Sequence, residues 1–151
     1  SRVYARIGEF AKAVQYAAQA VKDDPANPSL HGNLGSMYYR DLQYHQAIVH
    51  LELAVRGGAT EEGVVVVGLP LEYSVSVMEI YSRYGLALAK VNRCNEAVQV
   101  AQALIQGVPD DETSIYNAEE IIRICQENLA SPPTATIEAP METGPTAIPT
   151  P

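Results

Sequence analysis

Small residues recur along this chain at one fixed interval, and that recurrence restricts the fold more than any other feature. Ala13, Ala20 and Pro25 stand 34 positions before Ala47, Ala54 and Ala59, and Tyr4 stands the same distance before Tyr38. A third copy holds Tyr84, Gly85, Leu88, Ala97, Ala101 and Pro109, displaced by 50 from the second. The period is therefore 34, with one insertion of 16 residues. A period of this length belongs to chains built by stacking one supersecondary unit on the next.

The second copy shows what the unit is. In LHGNLGSMYYRDLQYHQAIVHLELAV, residues 30–55, Leu34, Tyr38 and Leu42 recur at helical spacing, as do Ala47, Ile48, Leu51 and Val55. The two patterns break near Asp41 to Tyr44, which gives two helices joined by a short polar turn. Gly35 lies inside the first of them, where glycine costs roughly 1 kcal/mol of helix propensity against alanine. Close approach of another backbone accounts for it better than helix formation does. The small residues mark where helices touch.

This pattern resembles the tetratricopeptide repeat family, in which a Leu-Gly pair, a Tyr, two Ala positions flanking a large residue and a terminal Pro recur every 34 residues. Leu34, Gly35, Tyr38, Ala47, Leu51 and Ala54 fit, with Ala59 in place of the Pro. The first copy fits at Tyr4, Ala13, Ala20 and Pro25, has Ala17 at the large position, and has lost the opening turns of its first helix. The third fits at Tyr81, Gly85, Ala97 and Pro109, with Ala101 at the large position and Leu104 where a small residue is expected. The resemblance implies an all-α fold, a right-handed α-solenoid of about three helical hairpins over residues 1–27, 28–61 and 78–111. It further implies a capping helix over 112–128, with 62–77 as an insertion and 131–151 as a tail outside the solenoid of 1–130. The chain opens on Ser1 within a repeat, which suggests a processed product or a piece of something longer.

Ten Lys and Arg against eighteen Asp and Glu leave a net charge of −8, which opposes binding to phosphate backbones, so no nucleic acid partner is expected. No apolar run reaches the roughly 18 residues needed to span a bilayer, so no membrane insertion is expected in this segment. The cations are unevenly placed. Arg6, Arg40 and Lys90 share one repeat position near the end of each first helix, and Arg2 and Arg83 lie a turn or two earlier. Because first helices line the concave groove of a tetratricopeptide array, the resemblance implies a basic stripe suited to an acidic peptide. The plainer alternative is that these cations complement helix dipoles. Asn33 and Arg83 also match two positions of the carboxylate clamp found in some family members, but Glu79 stands where a clamp Lys is expected.

The insertion EGVVVVGLPLEYSVSV carries Val64, Val65, Val66 and Val67, four β-branched residues that favour extended structure, followed by Leu69 and Leu71. Either these side chains fold onto the chain's own helices, or they form an apolar edge for assembly with another chain. Helix is expected to resume near Ser74.

After Pro109, acidic residues open a stretch with apolar residues at Ile115, Ala118, Ile121, Ile122 and Cys125. It resembles the helix that closes many tetratricopeptide arrays, and that resemblance implies an antiparallel packing that brings Cys125 toward Cys94. Both remain open as buried free thiols or as a disulfide, the latter implying an oxidising compartment. The tail SPPTATIEAPMETGPTAIPTP holds six of the ten prolines and five of the seven threonines, a composition unable to form a core. It resembles the stalks of exported bacterial proteins, which makes Thr134, Thr136, Thr143, Thr146 and Thr150 candidates for O-glycosylation and an extracellular or cell-surface location the expectation.

His31, His45 and His50 have no metal-ligand spacing and are expected at the surface or in a groove. No phosphate loop or zinc motif is present, so neither a catalytic site nor a cofactor is expected. The expected function is non-catalytic: a structural subunit that assembles with copies of itself, or an adaptor whose groove binds a peptide of another protein. A third expectation is a repeat region of a larger exported or membrane-bound enzyme, such as a glycosyltransferase.

Overall fold

In the computed structural model the described residues are 2–130, with side chains from Arg6 onward. They form six helices and one very small sheet: α1 (Arg2–Asp23), α2 (Pro28–Arg40), α3 (Tyr44–Val55), β1 (Gly58–Ala59), β2 (Val65–Val66), α4 (Val75–Lys90), α5 (Cys94–Gly107) and α6 (Glu112–Ala130). The fold is all-α. The tail with its five candidate threonines lies outside the described residues.

Two hairpins, α2/α3 and α4/α5, occupy the second and third copies. Each turn is made by one residue in the left-handed region, Leu42 at φ 62° and Asn92 at φ 64°. Helix starts are fixed by local chemistry. The Asn27 side chain accepts from the Ser29 amide at 3.0 Å with Pro28 in the first turn, and the Ser74 hydroxyl accepts from the Val77 amide at 3.4 Å. At α6, Asp111 accepts from both the amide and the hydroxyl of Ser114, at 3.0 and 2.7 Å.

Consecutive helices pack on one another from α2 to α6, and α4 also touches both α2 and α6. The core between them is built on Leu51, Tyr84, Leu88, Leu104 and Ile121, all fully buried. Gly35 and Gly85 let these helices approach. A Cβ on Gly35 would lie 2.7 Å from Leu51 Cγ and 3.0 Å from the Ala47 carbonyl oxygen, and one on Gly85 would lie 2.5 Å from Ile121 Cδ1.

The first copy differs from expectation. Residues 2–23 form one unbroken helix rather than the end of one helix, a turn and a second helix. Gly8 stands at the repeat position of Leu42 and Asn92, where a turn would form, yet a Cβ there would meet nothing within 4 Å and Ile7 is 59% exposed. A turn at Gly8 would break helical hydrogen bonds without bringing any packed surface together, so the helix runs through.

Between α3 and α4, β1 and β2 pair antiparallel with Gly58 opposite Val66 and Ala59 opposite Val65. The chain then lies back against its own helices. The Leu69 amide donates to the Ala54 carbonyl at 2.7 Å, Tyr81 donates its hydroxyl proton to the Leu69 carbonyl at 2.6 Å, and Leu71 packs where Gly107 leaves room. Pairing of the two strands alternates the valines: Val66 is buried, whereas Val65 and Val67 are 69% and 75% exposed. Leu69 and Leu71 are half-buried against the core.

Candidate functional site

The first helices of the two hairpins and the N-terminal part of α6 enclose a cleft of about 430 Å³. Tyr39 of α2 forms one wall, Met78, Ser82, Arg83 and Leu86 of α4 form the floor, and Asp111, Ser114 and Asn117 border α6. The spacing of Met78, Ser82 and Leu86, four residues apart, places them on one face of α4. Apolar and hydroxyl groups therefore alternate along the floor, a surface able to hold side chains while offering hydrogen bonds to a backbone.

Among the described residues of the expected basic stripe Arg83 alone borders this cleft, and its guanidinium is already engaged. It pairs with Glu79 at 2.6 Å, donates to the Ser36 carbonyl at 3.4 Å, and lies 5.9 Å from the Tyr39 ring centroid. Burial pushes the Tyr39 phenol above its ordinary pKa, so that group remains a neutral donor. Glu79, rather than a clamp lysine, faces the same space.

Arg40 and Lys90 stand at the ends of their helices, over aromatic rings of the preceding copy. Arg40 lies 6.0 Å from the Phe10 centroid and Lys90 lies 5.7 Å from that of Tyr44. Asn33 is exposed on α2, Arg6 is exposed on α1, and the side chain of Arg2 lies outside the described residues. Repeat position showed that Arg40 and Lys90 are equivalent, but not that an aromatic ring of the neighbouring copy would receive each of them.

Cys94 and Cys125 lie at disulfide distance, with Cα atoms 5.6 Å apart, joining the start of α5 to the last turns of α6. Beside them Asn128 donates to the Asn92 side chain at 3.1 Å and to the Ala89 carbonyl at 3.4 Å.

The histidines correct an expectation. His31, expected at the surface or in a groove, is only 2% exposed, and its ring stacks on that of His50. Its Nε2 faces the Pro25 carbonyl at 2.8 Å, so Nε2 carries the proton, and Nδ1 accepts from His50 Nδ1 at 3.1 Å. Burial, and then the neighbouring His31, hold the His50 pKa down to about 4. The pair buttresses the loop between α1 and α2. Among the described residues no group of three or more His, Cys, Asp or Glu side chains gathers as a metal site would require, and no helix is long and apolar enough to cross a membrane.

Among the cleft residues that composition and spacing do not single out are Tyr39, Ser82, Ser114 and Asn117. The available signal was Ser82, a small hydroxyl residue among the large residues Ile80, Tyr81 and Tyr84. No protein-family model matches the chain, and no curated protein matches it.

Proposed function

We propose that this chain is a non-catalytic protein–protein interaction module of the tetratricopeptide kind, a right-handed α-solenoid whose inner cleft holds an extended segment of a partner protein. The observation that carries this reading is the cleft itself, bordered by first helices of successive repeat copies and floored by Met78, Ser82 and Leu86. Short peptides in extended form fit such a surface, because side chains enter between the helices while Asn117 and the serine hydroxyls meet the backbone. The test is a two-dimensional NMR titration with a panel of short peptides. Shifts centred on Ser82, Leu86 and Asn117 are expected, and saturable binding with shifts only elsewhere would reject the cleft.

A second reading is self-assembly into an extracellular or cell-surface filament, with O-linked sugars on the tail. The exposure of Val65 and Val67 at the edge of β2 favours it, and the Cys94–Cys125 pair is compatible with export. Sedimentation at rising concentration tests it: Val65→Lys together with Val67→Lys should abolish any association, and a wild-type chain that stays monomeric throughout removes this reading.

A further inference from the structure

Resting on the reading of the cleft as a peptide site, we infer that its occupant is a cationic segment, a Lys or Arg flanked by aliphatic side chains, and not the acidic peptide that the placement of basic residues along the sequence suggests.

The charges bordering the cleft are Glu79 and Asp111 against Arg83, two anions and one cation. Their hydrogen bonds separate what is free from what is used. Arg83 directs one terminal nitrogen at Glu79 and the other at the Ser36 carbonyl, its plane lies near the Tyr39 ring, and its side chain is only 23% exposed. Glu79 meets Arg83 through Oε2, and its side chain is 48% exposed. Asp111 caps α6 through Oδ2 alone. One oxygen on each carboxylate thus stays without a partner among the described residues. Arg40 and Lys90, two of the cations expected to make the groove basic, lie over Phe10 and Tyr44, away from the cleft lining.

A second and independent feature points to a ligand. Ser82 is 3% exposed, borders the cleft, and its hydroxyl makes no hydrogen bond to any other described residue. A buried hydroxyl left without a partner is unfavourable, and a bound backbone or side-chain group would satisfy it. Val75, Met78 and Leu86 supply the apolar frame on either side. An acidic segment would bring a third negative charge into this space, on a chain whose net charge is already −8.

The test uses the chain as it stands and three synthetic peptides that share one aliphatic frame and differ only in a central Lys, Gln or Glu. Fluorescence polarisation at low and high salt gives the affinities, and NMR shifts at Ser82 and Asn117 give the location. One favourable charge contact in a partly screened site makes the Lys peptide roughly tenfold tighter than the Gln peptide, with the Glu peptide weaker still and the spread narrowing in salt. Glu79→Gln, which keeps the side-chain shape and leaves Arg83 unneutralised, should erase the preference for Lys over Glu. If the Glu peptide binds at the cleft as tightly as the Lys peptide, the charge assignment is overturned and the cleft reading survives. If none of the three shifts Ser82 or Asn117, the cleft reading falls and the assignment falls with it.

Discussion

Removing the link between Cys94 and Cys125 is the perturbation with the largest calculable effect. The two residues are 31 apart in sequence, and closing a loop of that length in the unfolded chain corresponds to about 3.7 kcal/mol at 25 °C in the chain-entropy account. The native geometry needs no backbone movement to accommodate the bond, since the Cα atoms are 5.6 Å apart. We therefore expect reduction, or Cys94→Ala with Cys125→Ala, to lower stability by about 3 kcal/mol. With a urea slope of roughly 1.5 kcal/mol/M for a domain this size, the midpoint should fall by about 2 M. Two further readouts locate the effect. Thiol titration of the denatured oxidised chain should find no reactive thiol. Hydrogen exchange after reduction should rise first in α6, whose main packed neighbours among the described residues are α4 and α5. A midpoint unchanged by reductant, in a chain whose thiols are shown to be bonded beforehand, would refute the reasoning.

Two other expectations follow from single contacts. Gly35→Ala places a Cβ 2.7 Å from Leu51 Cγ and 3.0 Å from the Leu51 amide nitrogen and the Ala47 carbonyl oxygen; overpacking of roughly 2–3 kcal/mol outweighs the ~1 kcal/mol gain in helix propensity, so a net loss of about 1–2 kcal/mol should appear in urea melts. His50 is held down to about 4 in the folded chain, against 6.5 unfolded. Its neutral form is the folded one, so its contribution is complete above pH 6.5 and is lost as pH falls from there toward 4. The full interval corresponds to roughly 3 kcal/mol, and partial exposure of the ring reduces the expected loss to about 1–2 kcal/mol. Melts at pH 7 and 4.5 of the wild type and of His50→Gln should differ in slope, and parallel pH profiles would show that the pair has no such role.

The parts of the fold legible in the sequence are those fixed by contacts close along the chain. The α2/α3 turn, the resumption of helix after Ser74 and the start of α6 each depend on residues within a few positions, and each lies where the pattern puts it. Gly35 was legible because a glycine inside a helical run has few reasons to be there other than close packing. The first copy was misread for an instructive reason: Gly8 is a better left-handed residue than Leu42 or Asn92, but a turn forms only where the helices on both sides have something to pack against. The charges were less legible still. Arg40 and Lys90 stand at helix ends, whereas Arg6, expected near the end of a first helix, lies within the unbroken α1; which aromatic ring or carboxylate receives each cation is decided by the register between neighbouring copies, and no local pattern encodes it. His31 was lost the same way, since its burial depends on His50 from the facing helix and on the Pro25 carbonyl.

That register can be followed through three joints at one repeat position. The first residue of the second helix in each hairpin, or its counterpart in α1, is Phe10, Tyr44 and then Cys94, at the same offsets of 34 and 50 that relate the copies. Each meets the end of the next copy's first helix: Phe10 lies under Arg40, Tyr44 under Lys90, and Cys94 lies at disulfide distance from Cys125. A cation over an exposed ring contributes about 0.5–1 kcal/mol, while a disulfide closing this loop contributes several times more. The difference matches what each joint has behind it. Arg40 and Lys90 belong to helices backed by α3 and α5, whereas α6 has no second helix behind it among the described residues and packs mainly on α4 and α5. The joint whose later helix has no second helix behind it is the one where the weak contact gives way to a pair of cysteines. The cysteine joint holds the C-terminal part of α6, whereas Ser114 and Asn117, with the capping Asp111 just before the helix, line the cleft from its N-terminal part.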